Sequence, residues 1–399
     1  PMSLEKFSGG QSNPTYKVLA QSGTYVLRRQ PPGKLLKSAH AVDREYRVLI
    51  LLPFRSNLYH DSLDVYNYQP HRETVMANQF YLGFKSAADS LVKAGMKLTL
   101  KVLDTKGDRN EIRSILPSIR AFAPHLVVGP ARSANVEYLA DELATDRIPV
   151  VSPLSRSVKV EGRPNLIQTI PGEASFSAAV SEFLNQHYPN AHVLFAHCGK
   201  REDEDKLRAI QARLNPREDQ FISSVLSCDE LSKRNTLGQD FNLDGTKVVV
   251  LINDDRVFLS DVIGKLNGLR DTSIVLIGHS SILQIPTMEL SYLNNLKFTT
   301  FQVRNTNYSD TATKKLIQAF RERNGADAGP FALQGFDAGM YFLSSLQESG
   351  TYFMEYLEYK AARQVSTGYR FLKVPDGGYR NEFLFTAGVR NFELVRVSK

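Results

Sequence analysis

RVLILLPF, residues 47–54, is the stretch on which the fold turns. It is an unbroken apolar run closed by a proline. A strand buried on both faces of a parallel sheet has this composition, whereas a half-solvated strand alternates. Downstream, an amphipathic helix is expected over 72–94, with Phe80, Phe84, Ala87 and Leu91 on one face. KLTLKVLD (97–104), HLVVG (125–129) and IPVVS (148–152) read as further strands, separated by helices over 111–122 and 133–146. Repeated βα units of this kind imply a parallel sheet covered on both faces. The rhythm returns with helices over 173–187, 203–214 and 256–268 and strands over 191–197, 221–227, 247–252 and 273–278, which implies a second sheet of similar size.

NLIQTIPG (165–172) and LKFTTFQV (296–303) are extended and read as crossings between the two sheets. Helices are expected over 311–324 and 331–348, and YRFLKV, NEFLF and NFELVRV close the chain as three short strands. The fold class is therefore α/β: two doubly wound parallel-sheet lobes joined by a multi-strand hinge, with a cleft between them. The first lobe is expected over about 47–165 and 304–350, and the second over about 166–303 and 351–399.

With 399 residues, 42% hydrophobic and 23% charged, the chain has ample core material, and no run reaches the length of a membrane span. PMSLEKFSGG lacks the basic, apolar and small-residue order of a secretory signal, so no signal peptide is expected in this sequence. The net charge of +7 is mild, without the dense basic stripe and stacking aromatics of a nucleic-acid binder, and no nucleic-acid partner is expected. Cys198 and Cys228 form neither a disulfide framework nor a zinc cluster, and are expected as two buried free thiols. His192 and His197 have no zinc spacing, and a core role is expected for His197. DTKGDRNE (104–111) imitates a calcium loop with its glycine and glutamate misplaced, and reads as a turn before a helix.

Upstream of the deciding strand the character changes. Residues 1–46 carry seven Lys/Arg against three Asp/Glu. FSGGQSNPTY (7–16) is rich in glycine and serine, TYKVLA and GTYVLRR form a hairpin about QSG, and SAHAVDREYRV (38–48) opens a short helix at Ser38. That helix and the strand at 47–54 compete for the same residues. Too little surface is available for this segment to be stable alone, so it is expected either to pack on the first lobe or to stay mobile.

Several stretches taken together resemble the type I periplasmic-binding-protein fold of the Leu/Ile/Val-binding proteins. These are VLILLPF, FYLGFKSAADSLVKAGMKLTLKVLDTKGD, HLVVGPARSANV, IPVVSPLS, QTIPGE and AFRERNGADAGPFALQGFDAGMYFL. The likeness extends to substrate-binding-like domains found behind peptidoglycan-binding LysM repeats in Bacteroidetes-type bacteria. It implies a non-enzymatic domain, with no cofactor and no metal, that holds a small polar ligand between closing lobes. It also implies a location in the periplasm or cell envelope, and a membrane transporter or peptidoglycan-associated protein as partner. Open α/β sheets bind ligands beyond the carboxyl ends of their strands, which puts the cleft in the same place.

The candidate ligand contacts are Ser133 and Asn135 at a helix start, Ser152, Ser155 and Arg156 in SPLSR, and Asp254, Asp255 and Ser280 in the second lobe. Ser133 either caps its helix or caps it and meets a carboxylate. Arg156 answers an extra anionic group or is a solvated charge, and the Asp pair either receives an ammonium or occupies a helix N-terminus. Leu154 and Arg156 stand where the amino-acid binders of the family carry small residues. Ser280 stands where they carry an acid, which keeps open a ligand-free role as spacer or docking surface.

Residues 1–46 are similar to the amino-terminal lobe of aminoglycoside-phosphotransferase-like kinases related to acyl-CoA dehydrogenase-associated kinases. By that likeness Gly9, Gly10 and Ser12 line nucleotide phosphates, Arg28 or Arg29 is the basic contact, and Glu45 on the following helix is its ion-pair partner. The kinase carboxyl lobe has no counterpart. HDSLDVYN (60–67) has the wrong spacing for a catalytic loop, and the FDAG at 336–339 falls inside an expected helix, so no phosphotransferase activity is expected.

Overall fold

In a computed structural model, residues 3–6, 15–20, 23–28, 45–58, 70–215, 224–227 and 244–397 are described. The amino-terminal segment forms an antiparallel sheet of β1 (Ser3–Lys6), β2 (Thr15–Ala20) and β3 (Gly23–Arg28). Thr15 pairs with Arg28 and Ala20 with Gly23, which is the hairpin expected from the sequence. Gly9, Gly10, Ser12, the helix start at Ser38 and the HDSLDVYN stretch lie outside the described residues.

The competition at residue 46 is won by the strand, β4 (Tyr46–Leu52). Val48, Ile50 and Leu52 enter one core layer while Leu49 and Leu51 enter another, so every side chain from Val48 onward is buried. A helix would leave one of those faces in water. Glu45, expected on a helix, instead immediately precedes β4, and its carboxylate accepts a hydrogen bond from the Thr99 hydroxyl.

Next come α1 (Arg72–Lys93), β5 (Leu98–Asp104), α2 (Arg109–Phe122), β6 (Leu126–Val128), α3 (Ser133–Glu142), β7 (Val150–Ser152) and β8 (Leu166–Gln168). The second lobe follows as α4 (Glu173–His187), β9 (His192–His197), α5 (Arg201–Gln211), β10 (Ser224–Ser227), β11 (Lys247–Leu251), α6 (Arg256–Gly268), β12 (Ile274–Ile277), α7 (Leu290–Asn295) and β13 (Thr299–Gln302). The chain returns through α8 (Thr311–Asn324) and α9 (Pro330–Ser349) and a 3-10 segment, Gly350–Tyr359. It ends in β14 (Ala362–Arg363), β15 (Gly368–Tyr369), β16 (Phe371–Lys373), β17 (Tyr379–Asn381), β18 (Phe385–Arg390) and β19 (Glu393–Arg396).

Two seven-stranded sheets result, in the orders β16-β17-β8-β7-β6-β4-β5 and β10-β9-β11-β12-β13-β18-β19. Each is mostly parallel and has a core layer on both faces. Helices α1 and α9 cover one face of the first sheet and meet through glycines. A Cβ on Gly83 would lie 1.8 Å from the Ala332 carbonyl oxygen, and one on Gly335 would lie 2.0 Å from that of Phe80. Only glycine permits this approach.

Two expectations are corrected here. β8, β16 and β17 belong to the first sheet, so the crossings run from Thr169 to Gly172, from Val303 onward, and across Glu382–Leu384. The short closing strands look alike in sequence whichever sheet receives them. Asn381 ties two crossings together, its Nδ2 donating to the Thr169 and Gly368 carbonyls at 2.8 Å each. The second correction concerns the cysteines: Cys198 is disulfide-bonded. Parallel pairing sets His197 beside Ser227, so Cys198 and Cys228, the only cysteines, follow adjacent strand ends. Cys228 itself lies outside the described residues.

Candidate binding cleft

The first-lobe wall is built at the carboxyl ends of β4, β5, β6 and β7. Asp104, ending β5, accepts from the Arg55, Ser56 and Lys106 N–H groups at 3.0, 2.7 and 2.8 Å, which fixes the turn that follows β4. Those donors hold its carboxyl below the usual range although burial opposes them. DTKGDRNE is thus a turn, and Asp108 caps α2 by accepting from Asn110 N–H at 3.0 Å.

Arg132 occupies the N-cap position of α3, and Ser133 is the first helical residue, with no side-chain cap bond at this end. Ser133 was expected to cap. Instead, Arg132 stands at the cap, and its guanidinium grips Glu73 with two bonds of 2.8 and 2.9 Å, while Arg55 Nη2 reaches the same carboxylate at 3.1 Å. The two arginines hold the Glu73 carboxyl below its ordinary value against the opposing effect of burial. Asn135 is buried, with Nδ2 3.5 Å from the Gly107 carbonyl. Ser152 is fully buried; its carbonyl accepts from Thr169 Oγ1 at 2.7 Å, and its own hydroxyl has no partner among the described residues. Ser155 accepts from Ser157 N–H at 3.3 Å in a local turn.

Arg156 leaves this wall and faces the second lobe. Its carbonyl is held by Gln168 Nε2 at 2.7 Å, and the loop before it by Gln334 Nε2 on the Pro153 carbonyl at 2.7 Å. With Asp254 and His279 from beyond the ends of β11 and β12, Glu173 and Phe176 from the first turn of α4, and Lys206 from the middle of α5, it encloses a cavity of about 70 Å³. Glu173 and Lys206 are paired at 3.2 Å. Asp255 is a helix cap: its Oδ1 accepts from Val257 and Phe258 N–H at 3.0 and 3.1 Å. Asp254 is the acid that lines the cavity. Ser280 begins a 3-10 turn, Ser280–Gln284, and the residue before it, His279, supplies the cavity group.

His279 Nδ1 accepts from Ser281 N–H at 3.2 Å, so the neutral ring carries its proton on Nε2, a donor available to the cleft. Burial pushes the imidazole below its ordinary value; Glu173 and Asp254 oppose this, and Arg156 and Lys206 add to it. A second arginine, Arg304, lies in the crossing after β13. Its Nη1 donates to Gln334 Oε1 at 3.2 Å, and its guanidinium sits 5.0 Å from the Phe331 ring centre. Burial first, and then Arg156, weaken its hold on its proton. Among the described residues neither Arg156 nor Arg304 has a carboxylate in ion-pair range. The cavity thus offers an anion the Arg156 guanidinium and the His279 imidazole, beside the paired Lys206 and Glu173 and the acid Asp254.

Of the expected contacts, Arg156 and Asp254 line this cavity; Glu173, Phe176, Lys206 and His279 line it with them and were not singled out from the sequence. Lys206 sits in REDEDK, which has the composition of a solvated helix face, and His279 differs by one position from the serine singled out. The remaining expected residues that are described do not line this cavity. Arg28 ends β3. His197 is buried, its Nδ1 accepting from Gly199 N–H at 2.9 Å. Among the described residues, no three His, Cys, Asp or Glu side chains cluster as metal ligands do. Asp337 of FDAG is fully buried in α9 and accepts from the Val365, Ser366 and Thr367 N–H groups at 3.0, 2.8 and 2.7 Å.

Comparison with solved structures supports the architecture. A putative branched-chain amino acid ABC transporter protein from Rhodospirillum rubrum is 13% identical with a TM-score of 0.61, covering 89% of this chain and 100% of that one. The LpoA C-domain from Haemophilus influenzae, described as a regulator of PBP1A, is 13% identical with a TM-score of 0.55, covering 88% and 100%. An ABC transporter substrate-binding protein from Desulfitobacterium hafniense, solved with Leu, is 14% identical with a TM-score of 0.53, covering 89% and 100%. At these identities the likeness shows the fold, that of the type I periplasmic binding proteins.

The Phosphotransferase enzyme family matches residues 3–52, a stretch that runs on through β4. Probable acyl-CoA dehydrogenase IBR3 of Arabidopsis thaliana is 58% identical over 50 residues, and acyl-CoA dehydrogenase family member 10 of Mus musculus 51% over 49. Each match covers 12% of this chain, which spans only 6% and 5% of those relatives.

Proposed function

We propose that this chain binds a small polar, carboxylate-bearing solute in the cleft without transforming it, as the receptor component of an uptake system or a cell-envelope protein. The observation that carries this reading is Arg156. It is held at the rim of one lobe by a bond to its own carbonyl, has no carboxylate partner among the described residues, and is set against Asp254, His279 and Lys206 of the other lobe. A carboxylate meets Arg156 and the His279 N–H, while an ammonium or hydroxyl meets Asp254. The substrate-binding proteins of the same fold support it, and so does the disulfide, which suits an oxidising compartment such as the periplasm.

A second reading, a ligand-free spacer or docking domain, draws on one observation. The cavity of about 70 Å³ is well below the ~300 Å³ at which ligand pockets begin, so a solute enters only as the lobes part. The LpoA C-domain shares the fold. Phosphotransfer is disfavoured because the acid of FDAG, Asp337, is spent on backbone donors inside the first lobe.

Native mass spectrometry of protein purified without dialysis separates the two readings. An adduct of small-acid mass, lost on unfolding and absent from Arg156→Ala, supports the first. A bare chain that takes up nothing from a mixture of amino acids, dicarboxylates and sugar acids supports the second.

A further inference from the structure

A space several times the size of the cleft cavity lies elsewhere on the second lobe. A cavity of about 430 Å³ lies between α4, β18 and β19 and the third crossing. Its walls are aromatic. Phe183 packs edge-on to Phe301 at 5.7 Å, and Phe383 edge-on to Phe385 at 4.9 Å. Its rim is cationic: the Arg396 and Arg363 guanidiniums lie 4.6 and 5.5 Å from the centre of the single Phe385 ring. Arg396 Nη2 donates to the Asn305 carbonyl at 3.2 Å, but its buried Nε has no partner. Among the described residues neither arginine is ion-paired with a carboxylate. A third, Arg370, reaches Glu182 only at 3.7 Å.

Two like charges brought to one ring repel each other and gain about 0.5–2 kcal/mol apiece from the ring, and the acids that share their surroundings, Glu182 in this cavity and Asp310 in the space beside it, are paired with neither. Volume and wall chemistry fit a ligand pocket better than the cleft does, since such pockets run from ~300 to 1,000 Å³ with mostly apolar linings and a few convergent polar groups.

We propose that this cavity is a second binding site, for an amphipathic anion: an aryl or acyl body among the phenylalanines and a carboxylate, sulfonate or phosphate head between Arg363 and Arg396. The site is independent of the cleft. Phe301, in its wall, touches Phe176 of the cleft at 5.7 Å between ring centres, so the two cavities back onto one aromatic partition.

The test is a fluorescence titration of the full chain with two probes of like apolar body: 8-anilinonaphthalene-1-sulfonate, and N-phenyl-1-naphthylamine, which lacks the sulfonate. The expected result is one saturable sulfonate site with a Kd at least ~10-fold lower than that of the neutral probe, the difference two charge-assisted bonds make. In Arg363→Gln/Arg396→Gln the sulfonate Kd rises at least ~10-fold while the neutral probe is unaffected. Arg156→Ala leaves both unchanged. Should the double variant fail to fold, Arg363→Gln alone, at an exposed residue, is expected to weaken the sulfonate about 3–10-fold. No saturable binding, equal affinity for the two probes, an unchanged Kd in the arginine variants, or loss in Arg156→Ala would each overturn the proposal.

Discussion

Asp337→Ala removes the acceptor for three backbone N–H groups in the turn that anchors the hinge. Ser366, in that turn, in turn accepts Asn305 N–H at 2.8 Å from the second crossing. Leaving a buried donor unpaired costs about 1–3 kcal/mol, so three cost about 3–9 kcal/mol. The wild-type carboxyl carries a cost of its own, because burial outweighs its donors and pushes it from 3.8 up to about 6. A carboxyl raised in the folded state contributes most below pH 3.8 and loses that contribution as pH climbs through 6. At about 1.4 kcal/mol per pKa unit the full loss is about 3 kcal/mol, of which about 2 falls between pH 4.5 and 7.5.

The variant is therefore expected to be destabilised at both pH values, and by about 2 kcal/mol less at pH 7.5 than at pH 4.5. Urea unfolding followed by tyrosine emission reads this locally. The chain has no tryptophan, and Tyr341 and Tyr369, 4.5 Å apart between ring centres, lie in the same core, with Asp337 acting on the Tyr369 hydroxyl. A loss below ~1 kcal/mol at pH 4.5, or a gap that does not narrow with rising pH, would refute the argument.

Three further outcomes are expected. Gly335→Ala drives a methyl group to within 2.0 Å of the Phe80 carbonyl and forces α1 and α9 apart, costing about 3 kcal/mol or more in chemical denaturation. Gly264→Ala, with open space at its Cβ in α6, is expected to stabilise by about 0.5–1 kcal/mol in the same assay. His279 is depressed by burial, so its contribution is full above pH 6.5 and drains as pH falls. His279→Gln should flatten the corresponding part of a stability–pH profile, whose slope from one site is at most about 1.4 kcal/mol per pH unit.

How much the sequence disclosed can be judged residue by residue. The strand expected over 47–54, seen as β4, was legible because the apolar side chains at every position from Val48 admit burial only between two layers, and this overrode a helix-forming context upstream. The βα rhythm placed the cleft at the strand ends for the same reason. The sheet that receives β16 and β17 was not legible, since three-residue strands carry no mark of their neighbours. The disulfide was hidden because it depends on the register between β9 and β10. At the cleft, Asp254 and Asp255 were both expected and only Asp254 lines the cavity, while at the end of β12 it is lined by His279, the neighbour of the expected Ser280. Which of two neighbouring residues caps a helix and which faces the cavity depends on how the strand end is rotated. Glu73 and Arg132, far apart in sequence, meet only in the folded lobe.

The central claim rests on Arg156, and thermal unfolding of the wild type and Arg156→Ala against a panel of amino acids, dicarboxylates and sugar acids tests it most directly. A solute at 100 times its Kd adds about 2.7 kcal/mol to the folded state. The account predicts that at least one solute raises the wild-type Tm by several degrees and that Arg156→Ala loses this rise. Unchanged Tm values for both proteins across the panel, or equal rises in both, would contradict it.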